Sequence, residues 1–162
     1  MKYIFLDVDG VLNSQEFLLS ENDRRCHTLD ETRIKLLGKL CYEEGAVVVL
    51  SSSWRIGWMH FTPGGRDSYT ATLSHLFHRH GIRVVGCTQI NGNLTRKQEI
   101  LAYVGNYLQR YGAWVAIDDE DLGLDKQRFV KTDFYKGKGL EEFHIPLIKE
   151  ALNLTQEKEW GF

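Results

Sequence analysis

In the stretch KYIFLDVDGVLN, residues 2–13, Asp7 and Asp9 stand one residue apart directly after an apolar run. If that run is a strand that continues regularly, both carboxylates point to one face at the rim of the sheet. Two like charges at that spacing repel unless a cation or a shared proton sits between them. A tight turn is the ordinary alternative, since Asp and Gly are favoured turn residues. A calcium loop fails on spacing: with Asp7 as first ligand, the sixth position, which requires Gly, is Leu12.

The pattern repeats in AIDDEDLGLD, residues 116–125, where an apolar run meets Asp118 and Asp119. Parallel strands end at one edge, so Asp7, Asp9, Asp118 and Asp119 could converge on one point. A hard divalent cation suits such a cluster, and magnesium, which takes a couple of carboxylates and keeps several waters, is the natural choice. A third run, VVVLSSSWR (residues 47–55), ends in hydroxyls instead. Ser51 and Ser52, with neighbouring backbone N–H groups, could hold an anionic oxygen or simply cap a helix. In NLTRKQEIL, residues 93–101, Arg96 and Lys97 sit at a helix start, where the dipole disfavours positive charge. A bound phosphate would supply the reason; exposure to solvent is the alternative.

These residues need a scaffold that brings strand ends together. Short β-branched runs alternate with segments of helical period, the pattern of βαβ units in a parallel sheet covered on both faces. Strands are expected at residues 3–6, 46–50, 82–85, 114–117 and 128–131, with the first, second and fourth in central positions. Four helical stripes lie between or after them. Leu29, Ile34, Leu37, Leu40 and Cys41 form one, capped by Thr28 or Asp30 and stopped at Gly45. Leu73, Leu76 and Phe77 end at Gly81; Ile100, Leu101, Val104 and Leu108 open at Asn93 or Thr95 and end near Gly112. Leu147, Ile148, Ala151 and Leu152 follow Pro146. Residues 14–27 and 57–69 fit neither period and follow central strands, so they read as substrate-contacting loops or ordinary surface loops.

A length of 162 residues suits one domain, 1–162, and a formal charge of −2 with mixed signs provides no field to hold a polyanion or membrane by charge alone. With no secretory or membrane-length apolar segment, and with Cys26, Cys41 and Cys87 unpaired in spacing, a reduced cytoplasmic protein is expected. His75, His78, His80 and Cys87 lack the paired spacing of a zinc site and read as surface residues.

Taken together, DVDGVLN, SSSWR, the RKQEI helix start and AIDD resemble the haloacid dehalogenase-like (HAD) superfamily of phosphohydrolases over essentially the whole chain. With VKTDFYKGKGL they resemble more narrowly a subgroup of small HAD domains associated with RNA-repair proteins. The resemblance implies a Rossmann-like three-layer α/β sandwich with a central five-stranded, mostly parallel sheet and no large cap. It implies a magnesium-dependent phosphomonoester hydrolase with Asp7 as nucleophile and Asp9 as general acid and base. Ser51, Ser52 and Arg96 or Lys97 would hold the substrate phosphate. The Asp7 carboxylate, the Asp9 backbone carbonyl, Asp119 and, in support, Asp118 would hold Mg2+. An uncapped site suits a large substrate such as a nucleic-acid end, with a small metabolite as alternative; dimerisation could supply a lid. Arg24, Arg25, Trp54, Arg55, Trp58, His60 and Arg66 would then offer cations and stackable rings, the two Trp alternatively packing residues. A phospho-acceptor receiver needs an acidic residue after the third strand, which RVVGCTQ lacks; a non-catalytic binding protein of the same fold is the other competing class.

Overall fold

In the computed structural model of the protein, residues 1–20, 28–59, 68–108 and 112–154 are described. The strands are β1 (Lys2–Leu6), β2 (Ala46–Leu50), β3 (Val84–Cys87), β4 (Ala113–Asp118) and β5 (Phe129–Lys131). The helices are α1 (Gln15–Leu19), α2 (Glu31–Glu44), α3 (Arg55–Met59), α4 (Ser68–Arg79), α5 (Arg96–Tyr103) and α6 (Ile145–Leu152). The strands form one sheet in the order β3-β2-β1-β4-β5, and every pairing is parallel, so all of them end at the same edge. The three apolar runs expected at the centre are the three central strands.

Period-two alternation divides the core into two layers. Ile4 and Leu6, Val48 and Leu50, and Val115 and Ile117 face one side, where they pack with Ile34, Leu37 and Leu40 of α2, Leu73 and Phe77 of α4, and Ile148 and Leu152 of α6. Phe5, Val49, Trp114 and Ala116 face the other side and meet Ile100 of α5 and Leu108. Each fully buried Leu, Ile or Phe contributes about 1.5–3 kcal/mol relative to exposure. The three-layer α/β arrangement expected from the resemblance is therefore present, with the sheet wholly parallel.

Local chemistry explains the helix ends. Asp30 caps α2 by accepting from Thr32 N–H, and Gly45 closes it at φ +61°. Thr95 and Gln98 form a reciprocal capping box at the start of α5, which runs on into a π-helical turn, Val104–Leu108. Pro146 occupies the first turn of α6. Two stripe residues are corrected: Leu101 and Leu147 are 44% and 53% exposed, on the outer sides of their helices.

The third strand begins two residues later than expected. Gly81, at φ +68°, donates to His78 O while Ile82 N–H donates to Phe77 O, the paired bonds of a Schellman motif. Ile82 is thus buried as the apolar partner of a helix cap, and pairing starts at Val84. Residues 15–19 of the first expected loop are instead helical in α1, capped by the Ser14 hydroxyl. The ends of the second expected loop belong to α3 and α4. Arg24, Arg25, Cys26, His60 and Arg66 lie outside the described residues. Among the described residues no helix is long and apolar enough to cross a membrane, and no separate cap domain is present.

Candidate active site

Strand parity selects the side chains that meet at the sheet edge. Counting in twos from Phe5, Val49 and Ala116 reaches Asp7, Ser51 and Asp118, all on the α5 side of the sheet. Ser51 N–H donates to Leu6 O and Asp7 N–H donates to Ile117 O, so the three strand ends stay in register past the last apolar residue. Arg96 opens α5 on that side. Its Nη1 donates to Asp118 Oδ2 at 2.7 Å and lies 3.4 Å from Asp7 Oδ2.

Asp7, Asp118 and Asp119 each offer a carboxylate oxygen within 4.8 Å of the others. Burial, and after it the Asp118 charge, push the Asp7 carboxyl up to about 8 against the pull of Arg96. Burial and Asp118 likewise raise Asp119. When all three are ionised, three carboxylates against one guanidinium leave an excess of two negative charges, which a divalent cation would neutralise. Hard oxygen donors of this type fit magnesium. Asp118 has both oxygens engaged, by Arg96 and by Glu120 N–H, whereas Asp119 is less buried.

Asp9 departs from the expectation of a shared face. The strand stops at Leu6, and Val11 and Leu12 N–H both donate to Val8 O, turning the chain. The Asp9 carboxylate accepts from Asn13 Nδ2 at 3.0 Å and from Trp54 Nε1 at 2.9 Å, apart from the three-carboxylate group. Gly10 makes the turn at φ +82°, and a Cβ there would collide with the Asp119 carboxylate. Gly10→Ala is therefore expected to cost about 2–4 kcal/mol in stability, from left-handed strain and displacement of Asp119. Urea unfolding should read that loss, and calorimetric titration should show weakened magnesium binding.

The segment around VKTD braces this turn. Thr132 Oγ1 donates to Gly10 O and Thr132 N–H to Asp118 O, tying the first acidic segment to the second. Leu140 N–H donates to Val11 O, and Gln15 N–H to Phe134 O.

Of the phosphate-binding candidates, Ser51 is buried with its Oγ lacking a partner among the described residues. Ser52 falls on the opposite parity, where its Oγ accepts from Trp54 N–H. Lys97 points away, its Nζ donating to Gly123 O, so Arg96 is the basic residue at the acidic group. Arg55 is corrected as a surface cation. It is buried, with Nη2 2.9 Å from Glu99 Oε2 and Nη1 donating to Ser52 O. Trp58 packs on the core beside Phe77, in keeping with the packing alternative.

Sequence reasoning passed over Asn13, Glu99 and Thr132. Asn13 is fully buried; its amide holds Gly10 N–H, Thr28 O and Asp9 together, and its one cue was a polar residue closing the apolar pair Val11-Leu12. Glu99 carries no cue, because its partner is distant in sequence. His80 pairs with Glu31 and His75 with Arg79, so each of these two bonds a side chain other than a histidine.

Comparison with known proteins agrees with this fold. The model of the HAD domain in Swiss Army Knife RNA repair proteins matches residues 3–144. No curated protein and no solved structure gave a match to the chain. Because the match spans the sheet and every residue of the acidic edge, and because HAD domains carry phosphohydrolase-type chemistry, the chain belongs to the family of HAD domains of Swiss Army Knife RNA repair proteins.

Proposed function

We propose that the protein is a magnesium-dependent phosphomonoester hydrolase that works through an aspartyl-phosphate at Asp7 and acts on nucleotide or nucleic-acid end phosphates. The observation that carries this reading is the pairing of a Ser51 hydroxyl that has no partner among the described residues, one strand over from Asp7, with Arg96 and the three carboxylates. A phosphoryl group between them would give Ser51 its missing partner and Arg96 an anion beyond Asp7 and Asp118. The family's description, RNA repair, supports the choice of a nucleic-acid end.

Magnesium, held by Asp7, the Asp9 backbone carbonyl and Asp119 with Asp118 in support, would neutralise phosphoryl charge and keep Asp7 ionised. An Asp7 oxygen attacks phosphorus in line, forming the acyl-phosphate bond as the ester P–O bond breaks. Its electron pair leaves with the ester oxygen, and Asp9 delivers a proton there. Asp9 then takes a proton from water, which attacks the same phosphorus and releases phosphate and the free Asp7 carboxylate. Asn13 and Trp54 orient the Asp9 carboxylate between these transfers.

Asp9→Asn should lose about 10²–10⁴-fold in turnover of alkyl phosphates yet keep more activity on aryl phosphates, whose leaving groups need no proton. Steady-state kinetics on both ester types checks this; activity equal to wild type on both would end the proposal. A magnesium-dependent screen of phosphorylated sugars, nucleotides and 3′- or 5′-phosphorylated oligonucleotides tests the substrate class. Preference for sugars would move the reading to a metabolite phosphatase, and no turnover of any ester would move it to a binding protein.

A further inference from the structure

Beside Asp9 lies a cavity of about 340 Å³ whose walls include Thr28, Ser53, Trp54, Ile56, Tyr69 and Thr70. Its size falls in the range of small-molecule sites. Two of its walls are tied directly to the Asp9 carboxylate. The Trp54 indole N–H donates to Asp9 Oδ2, and the Asn13 amide that donates to Asp9 Oδ1 also donates to Thr28 O. The cavity therefore adjoins the carboxylate that would protonate a leaving group. Two of its walls are aromatic: the Trp54 and Tyr69 rings meet edge to face at 6.0 Å and 84°. Tyr69 and Ile56 are 54% and 49% exposed, a large area of apolar surface for residues beside a polar site. Hydroxyl-bearing Ser53, Thr28 and Thr70 supply polar groups along the walls.

Resting on the phosphohydrolase reading, we infer that this cavity is the leaving-group subsite and that it takes the nucleobase of the nucleotide whose phosphate is removed. A planar base suits flat aromatic walls, because stacking acts on the π-face that every base has. A sugar or other aliphatic alcohol has no π-face to stack on these rings. The same base could belong to a free nucleotide or to the last residue of a strand.

The test uses the full chain carrying Asp7→Asn, with the indole N–H signal of Trp54 followed by NMR. The probes are nucleoside 3′- and 5′-monophosphates, a terminally phosphorylated dinucleotide, ribose 5-phosphate and inorganic phosphate. At least one nucleotide probe is expected to shift the Trp54 signal and bind about tenfold or more tighter than ribose 5-phosphate. Tyr69→Ala, at an exposed position, should remove that advantage while leaving ribose 5-phosphate binding unchanged. Equal affinity for nucleotides and ribose 5-phosphate, or an unmoved Trp54 signal, would overturn the assignment. If wild type hydrolyses no ester while nucleotides shift Trp54 and bind tighter than both ribose 5-phosphate and inorganic phosphate, the hydrolase reading falls and the base pocket stands. If esters are hydrolysed with no advantage for a base, the pocket falls alone.

Discussion

Asp7→Asn is expected to abolish turnover and, in the metal-free protein at pH 8, to make the fold more stable. The loss of activity should be on the order of 10⁴-fold or more, since an amide cannot form the acyl-phosphate. Acid quenching during turnover should trap a phosphoenzyme in wild type and none in the variant. The gain in stability follows from the site's electrostatics. Burial and Asp118 push Asp7 up to about 8, far above an unfolded aspartate near 4. Between those values the folded chain holds a proton that the unfolded chain has released, so metal-free stability falls as pH rises through that window. An amide at position 7 removes this slope and is expected to add about 1–3 kcal/mol at pH 8, with no gain at pH 4. Thermal unfolding of both proteins at the two pH values measures it. Magnesium should reverse the order, stabilising wild type at pH 8 and the variant little. Equal pH slopes in the two metal-free proteins would mean that Asp7 does not carry the buried charge.

The second large effect is expected at Glu99, away from the reacting atoms. Glu99 and Arg55 form an ion pair with side chains only 7% and 8% exposed, linking the first turn of α5 to the start of α3. Arg55 also fixes Ser52 O, directly after Ser51, while Glu99 Oε1 accepts from Asn91 N–H ahead of α5. Glu99→Ala strands a buried guanidinium and is expected to cost about 3–5 kcal/mol. Chemical denaturation reads that cost. The double change Arg55→Met with Glu99→Leu should recover most of it, because apolar replacements of a buried pair avoid desolvating either charge. Loss of kcat/KM in the double variant, despite recovered stability, would show that the pair also positions Ser51 and Arg96. Additive costs of the two single changes would exclude a coupled pair.

Much of the scaffold was legible because its signals are local. The runs at 46–50 and 114–117 are too apolar for anything but buried central strands, and Asp30, Gly45, Thr95 and Pro146 each mark a helix end through their own backbone chemistry. The third strand was misplaced for an equally local reason. Ile82 looks like a strand residue by type, yet the Schellman bond to Phe77 O commits it to the preceding cap. Short α1 and α3 escaped notice because five residues are too few to display a helical period.

The site divides along the same line. Acid pairs after apolar runs, and a parallel sheet to gather them, were determined by residue type and order alone. The sequence could not decide which member of each adjacent pair faces the site. Ser51 rather than Ser52 and Asp118 beside Arg96 are consequences of pleat parity measured from Val49 and Ala116. Arg96 rather than Lys97 reaches the cluster because of its place on α5, with Lys97 bonded to Gly123 O. Tertiary structure alone turned Asp9 away from Asp7, since the bond partners that hold it, Asn13 and Trp54, meet only after the strands have paired and Gly10 has bent the chain. Local free energies are written in neighbouring residues; the direction of a side chain at a sheet edge depends on contacts made across the fold.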